Sequence, residues 1–353
     1  DFVEEVQEID KSLWKGICVY ADCSAGRTHR VTFELIGKDG TGVTDLRYLS
    51  HRIYNGKPKL EGLPATYATD EEAQTLELVC VDEVNRAEVT LIYSVFAAYD
   101  VITRSVRIRN TGDASFTIRK AYSACVDYPT QKYSVLTLNG MWAGERNIAV
   151  QPLQPGRFSI GSMRGASSAQ FNPFLALLAD GSTEESGEVY GYSFVYSGNF
   201  SAMADCSPYG GTRVLMGLNP DHFAWVLGAG ESFQTPEVVM VYSEHGLGGM
   251  SRTYHRLYRK NLCRGPWRDC RRPILVNNWE GTYFDFTDDK IVSIAKDAAE
   301  LVTFTDPDKY DIESTDEQII TSVLTNACNQ YEVDIIYFLL PNLRDNTVMY
   351  LTR

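Results

Sequence analysis

Val101-Ile102-Thr103-Arg104-Ser105-Val106-Arg107-Ile108-Arg109-Asn110 alternates. Ile102, Val106 and Ile108 fall on one side of an extended chain; Thr103, Ser105, Arg107 and Arg109 fall on the other. A period of two with one polar side predicts an antiparallel strand, buried on one face and wet on the other. The same period governs the sequence from about 76 to 243. Strands are predicted at 76–82, 88–96, 101–110 and 116–127, and again at 189–197, 212–218 and 237–242. Turn chemistry separates them at Asn110-Thr111-Gly112-Asp113, Gln154-Pro155-Gly156 and Leu227-Gly228-Ala229-Gly230. The 21 Tyr and 15 Phe suit pleated surfaces. Many strands without interleaved helices predict a mainly β protein built on a large antiparallel sandwich.

The wider composition narrows the function. With 44% hydrophobic and 22% charged residues, the 353-residue chain has enough apolar material for a well-filled core. No apolar run reaches the ~18 residues of a spanning helix, so no membrane span is expected. A formal charge of −13 argues against nucleic acid, which requires a clustered basic surface. The eight cysteines (Cys18, Cys23, Cys80, Cys125, Cys206, Cys263, Cys270 and Cys328) show no C-x-x-C pair and no metal-ligand spacing. Asp1-Phe2-Val3-Glu4-Glu5 lacks the basic and apolar regions of a signal peptide. Together these features predict buried free thiols and a cytoplasmic location.

After Gly249 the period changes. Met250, Tyr254, Leu257, Tyr258 and Leu262 share one helical face, with Arg252, Arg256, Arg259 and Lys260 placed to form a solvated one. A boundary is expected around Gly265-Pro266-Trp267 and the basic run 268–272. Ile274-Leu275-Val276 then reads as a short parallel-sheet strand and 277–283 as a polar, aromatic loop. Thr287 is placed to cap a helix to about Leu301, with Asp288 and Asp289 in its first turn. Strand, loop, helix is the opening unit of an α/β fold, and in a barrel the loop after a strand lies at the catalytic end.

Chemistry-bearing motifs are sparse. G-x-S-x-G is absent, and His29, His51, His222, His245 and His255 are not grouped at metal spacing. Gly246-Leu247-Gly248-Gly249 and Gly210-Gly211 read as turns rather than phosphate loops. Glu280 and Asp285 flank the aromatic loop as candidate paired carboxylates, for which glycoside chemistry needs a separation of about 5 to 9 Å; capping or a structural hydrogen bond accounts for them equally. Trp279 is either a sugar-stacking indole at a strand end or a packed core residue.

Longer motifs carry a resemblance. Arg272-Pro273-Ile274-Leu275-Val276-Asn277-Asn278-Trp279-Glu280, continuing through Thr282-Tyr283-Phe284-Asp285-Phe286, resembles the start of the catalytic barrel of glycoside hydrolase family 36 α-galactosidases. DLRYLSHRIYNGKPKLEGLPATY from Asp45, YDVITRSVRIRN from Tyr99, RGASSAQFNPFLAL from Arg164, GEVYGYSFVYSGNF from Gly187 and ESFQTPEVVMVYS from Glu231 resemble that family's N-terminal β-supersandwich. The resemblance implies a galactose mutarotase-like supersandwich at 44–248, a linker helix at 249–272 and the first strand and helix of a TIM-type (β/α)8 barrel at 273–301. Segments 1–43 and 302–353 are unmatched. It further implies a retaining hydrolase that releases terminal α-linked galactose from raffinose-type oligosaccharides, with no cofactor, assembled as a homo-oligomer (a tetramer in the complete enzyme). By the same resemblance Trp279 lines the galactose pocket. The family's Asp-Asp-Gly-Trp and Lys-Trp-Asp-Met-like strand ends have no counterpart after Leu301, and Lys309-Tyr310-Asp311 matches only by chance. No catalytic residue is therefore assigned, and the chain is expected to be an internal piece of the enzyme, inactive alone. The alternative is a non-catalytic carbohydrate-binding or assembly module.

Overall fold

The computed structural model describes residues 32–167, 169–208, 210–265, 268–269, 278–302, 337–339 and 348–350; for 279, 280, 295, 298–302 and the last two short strands it describes the backbone alone. The chain divides into two compact units, residues 1–263 and 264–353.

The first unit is two antiparallel sheets. Its strands are β1 (Phe33–Ile36), β2 (Arg47–Asn55), β3 (Gln74–Asp82), β4 (Ala87–Phe96), β5 (Val101–Asn110), β6 (Phe116–Tyr128), β7 (Tyr133–Met141), β8 (Gly144–Pro152), β9 (Gly156–Gly161), β10 (Phe171–Ala179), β11 (Val189–Phe194), β12 (Phe200–Cys206), β13 (Thr212–Leu218), β14 (Trp225–Leu227), β15 (Ser232–Gln234) and β16 (Val238–Ser243). The larger sheet runs β2-β3-β4-β5-β16-β11-β10-β7-β8, and the smaller runs β1-β6-β13-β12-β9. Alternate residues of both meet in the middle. Leu175, Leu177, Tyr192 and Phe194 pack on Phe200, Ala202, Val214 and Met216 in one half of the core. Val89, Leu91, Val106 and Ile108 pack on Phe33, Phe116 and Ile118 in the other. The expected large antiparallel sandwich is present, and burial of these alternating side chains is its main stabilisation.

β5 departs from the simple two-faced strand. Thr103 and Ser105, on its polar side, are buried, so that side reaches solvent at Arg107 and Arg109 alone, and Ile102, expected on the buried face, is 41% exposed. Segment 56–73 crosses the outer face of the large sheet. The Thr75 hydroxyl donates to Gly56 O, Lys57 Nζ lies 2.8 Å from Glu237 Oε2, and Glu237 Oε1 accepts the Thr66 N–H. Arg104 sits on the inward side with a relative exposure of 1%. It donates through Nη1 to Cys125 O at 2.7 Å and stacks over the Tyr93 ring at 5.0 Å. Such a contact satisfies a cation that burial alone penalises.

Helix α1 (Gly246–Asn261) covers the same outer face, where Met250, Tyr254 and Leu257 pack on Ala176, Val189, Val239 and Val241. Arg252, Arg256, Arg259 and Lys260 are exposed, as the helical periodicity predicts. The helix begins four residues before the expected Met250, and Gly246-Leu247-Gly248-Gly249 is its first turn rather than a separate loop. This does not make a phosphate site. The N–H groups of Gly246, Leu247 and Gly248 donate to Gly187 O, Thr183 O and Glu184 O, so the turn at 181–188 occupies the helix N-terminus. Gly246 has φ +65°, and a Cβ there would lie 2.4 Å from Thr183 O. At its other end, segment 56–73 holds the helix. Tyr67 N–H donates to Asn261 O, the Tyr67 hydroxyl contacts Lys260 O and Cys263 O, and Asn261 Nδ2 donates to Tyr67 O.

In the second unit, α2 (Trp279–Thr282) and α3 (Asp288–Val302) are followed by the paired strands β17 (Tyr337–Leu339) and β18 (Val348–Tyr350). Thr287 caps α3 as expected: its hydroxyl accepts the Lys290 N–H and its carbonyl accepts the Ile291 N–H, with Asp288 and Asp289 in the first turn. The predicted strand at 274–276 lies outside the described residues.

Candidate functional site

The segment expected to be a loop after the barrel's first strand contains a helical turn. Asn278 opens it: its carbonyl accepts the N–H groups of Gly281 and Thr282 at 3.1 and 3.0 Å. Its Nδ2 donates to Thr282 Oγ1 at 3.0 Å, and that hydroxyl donates to Asn278 O at 2.9 Å. Both residues are buried, so the reciprocal pair locks the backbone on either side of Trp279-Glu280-Gly281. Tyr283, at φ +47°, ends the turn, and Tyr283 and Phe284 are largely exposed. Asp285 N–H donates to Thr282 O, while its own carbonyl accepts Lys290 Nζ at 3.1 Å. Asp285 is exposed. The side chains of Trp279 and Glu280 and all of Asp311 lie outside the described residues.

Other sequence candidates take structural places. His51, His222, His245 and His255 are exposed, and among the described residues no three His, Cys, Asp or Glu side chains gather as a metal site. Cys80, Cys125, Cys206 and Cys263 are free; Cys206 is buried and the other three are half-buried. Among the described residues no helix is long and apolar enough to cross a membrane.

Two charged clusters in the sandwich went unread. One is the Lys57–Glu237 pair. The other centres on Glu77, a largely buried carboxylate in the apolar run of β3. Its Oε2 lies 3.1 Å from Arg52 Nη2 and 3.9 Å from Arg107 Nη2, and its Oε1 accepts the Tyr54 hydroxyl at 2.9 Å. A lone acid among apolar residues is the sequence signal for such a site.

Burial, together with the Glu77 carboxylate, pushes the Tyr54 hydroxyl up to about 12 from the usual tyrosine value near 10. Burial likewise raises Tyr128, Tyr190, Tyr192, Tyr254 and Tyr258. The folded protein thus holds protons that the unfolded chain releases. The contribution of Tyr54 is complete below about pH 10 and is lost as the pH rises through about 12. Those of the other five, raised further, begin to fall above about pH 10 as well. Melting temperature is expected to fall steeply across that window, with the buried tyrosines ionising as the protein unfolds. A flat melting curve from pH 10 to 12 would contradict this.

A two-sheet antiparallel sandwich followed along the chain by a helical turn at 279–282 and a longer helix defines a mainly β protein with a second, partly helical unit. Sequence comparison resolves the class further. The model of the glycosyl hydrolase family 36 N-terminal domain matches residues 8–228, and the Melibiase model matches residues 232–304. The chain belongs to glycosyl hydrolase family 36. The match starts at residue 8, well before the Thr44 at which the motif resemblance begins. The Melibiase match takes in β15, β16 and α1, all of which build the sandwich unit.

Among curated proteins, the chain is 56% identical over 265 residues to alpha-galactosidase AgaA of Geobacillus stearothermophilus, covering 75% of this chain and 36% of that protein. It is 45% identical over 282 residues to the bifunctional alpha-galactosidase/sucrose kinase AgaSK of Mediterraneibacter gnavus, covering 80% and 30%. The crystal structure of AgaA superposes with a TM-score of 0.78 at 52% identity, covering 80% of this chain and 39% of that one. The chain thus spans about a third of the length of the curated relatives it matches.

Proposed function

We propose that this chain supplies the β-supersandwich and the barrel opening of a retaining α-galactosidase that releases terminal α-linked galactose from raffinose-type oligosaccharides. The observation that carries this reading is 56% identity over 265 residues to a named α-galactosidase. Variants of that relative have been solved in complex with stachyose and with raffinose, which supports the substrate class. In the complete enzyme one carboxylate attacks the anomeric carbon while a second carboxylic acid protonates the leaving oxygen, and water then releases the glycosyl-enzyme with retention. Trp279, on the turn locked by Asn278 and Thr282, lines the galactose pocket. The reaction needs no cofactor. Four free thiols among the described residues support a reducing, cytoplasmic setting, and the family resemblance supports a homo-oligomer.

The decisive experiment is a chimera in which residues 44–301 replace the corresponding segment of the Geobacillus enzyme. It is expected to hydrolyse a chromogenic α-galactoside, and Trp279→Ala in the chimera is expected to lower kcat/KM about tenfold or more. A folded, inactive chimera would overturn the reading. The 353-residue chain alone is expected to show no turnover; turnover abolished by Trp279→Ala would place the chemistry on carboxylates within it, with Glu280, Asp285 and Asp311 the first to test.

A further inference from the structure

Trp279 begins a helical turn too short to hold itself. The turn spans four residues, and so short a helix fixes many dihedral angles for few backbone bonds. Gly281 does not dictate its shape. The glycine's φ lies outside the left-handed region, and a Cβ there would meet nothing within 4 Å. Tyr283, directly after the turn, has a left-handed backbone that residues with side chains disfavour. Such a conformation persists only where neighbouring bonds determine it. Here those bonds come from the two residues that flank Trp279-Glu280-Gly281.

Thr282 has a single hydroxyl proton, and it goes to Asn278 O. The same oxygen then accepts Asn278 Nδ2. One hydroxyl thus ties down both the carbonyl and the side-chain amide of Asn278. An asparagine before a helix ordinarily turns its side-chain oxygen to an N–H of the first turn. Asn278 instead donates its amide, and what it needs is a hydroxyl four positions along the chain. At 5% and 6% exposure, neither residue can readily exchange these bonds for bonds to water. We propose that Asn278 and Thr282 are positioning residues for sugar binding, which set the backbone of Trp279 and, through it, the place of its indole in the galactose pocket. The proposal rests on the reading of Trp279 given above and adds the groups through which that residue is placed.

The test uses the chimera described above. Thr282→Val keeps the side chain's shape and removes the hydroxyl, whereas Thr282→Ser keeps the hydroxyl. In the chimera, Thr282→Val is expected to raise both KM and the inhibition constant of galactose about tenfold, with kcat changed much less. Asn278→Ala should act in the same direction, and Thr282→Ser should stay within about twofold of the parent. The route is read from a double-mutant cycle. If Thr282 acts through Trp279, Thr282→Val adds no further penalty once Trp279 is Ala. A loss of stability alone would penalise both backgrounds equally, and melting temperatures identify any variant that fails to fold. Unchanged constants in a folded Thr282→Val chimera, a Ser variant as impaired as the Val one, or equal penalties with and without Trp279 would each overturn the positioning role alone. A folded parent chimera without activity would overturn the functional reading and this proposal together.

Discussion

Replacing Lys57 by Met is expected to lower the stability of the sandwich unit by about 3 to 5 kcal/mol. The side chains of Lys57 and Glu237 are 3% and 1% exposed, and their charged atoms lie 2.8 Å apart. Removing the cation leaves a carboxylate in a site that water does not reach. The Thr66 N–H alone cannot replace a full counter-charge. For a unit of this size the loss amounts to roughly 10 °C in melting temperature. Glu237→Leu should cost a comparable amount for the mirror reason. The double variant Lys57→Met/Glu237→Leu should be more stable than either single one, because two apolar groups demand no solvation. Single variants that lose less than about 1 kcal/mol by denaturant titration would mean that water reaches the pair.

Gly246→Ala should be nearly as damaging, at about 3 kcal/mol. The backbone there is left-handed, and the added methyl would meet Thr183 O at 2.4 Å and Ser186 N at 2.7 Å. Gly62→Ala separates the two effects. Its φ is +73°, but nothing lies within 4 Å of where its methyl would stand, so it should cost only about 1 kcal/mol. Equal losses at the two positions would show that backbone strain, not the contact with the 181–188 turn, decides the matter.

The same glycine shows where the sequence could be read and where it could not. The long alternating strands β3 to β6 were legible because large apolar residues mark one face at period two. β12 was not: Phe200-Ser201-Ala202-Met203-Ala204-Asp205-Cys206 is buried throughout yet holds few large apolar side chains. Small residues pack there against close neighbours, and packing of that kind leaves no periodic signal. β8 escaped notice for the opposite reason, as its exposed residues alternate only weakly. Gly246 to Gly249 resembled a turn because helix propensity disfavours glycine. Tertiary contact with residues 183–187 reverses that preference, and those residues lie some sixty positions upstream. Neither the burial of Arg104 nor that of Thr103 and Ser105 follows from local pattern. Thr103 and Ser105 lie on the outer face that segment 56–73 crosses, whereas Arg104 lies on the inner one against Cys125 O. At the site, the helix cap at Thr287 was legible from residue types alone. The role of Trp279 came from the resemblance, since an isolated indole in a polar stretch has two equally ordinary explanations.

Strand order in the large sheet also dictates an order of events. β2 to β5 form one run of adjacent hairpins, and β7, β8, β10 and β11 form another. Between them stands β16, paired through Val238–Val241 with β5 and through Val238–Ser243 with β11. Within this sheet neither run touches the other until the last strand of the sandwich arrives. During synthesis, both halves can therefore fold locally while the seam between them stays open, exposing Val101 and Val189 until residue 243 is available. Long-range closure of this kind is slow and leaves unpaired edges in the meantime. The sheet behaves as a zipper whose slider is its final strand, and α1 follows directly to cover the closed seam.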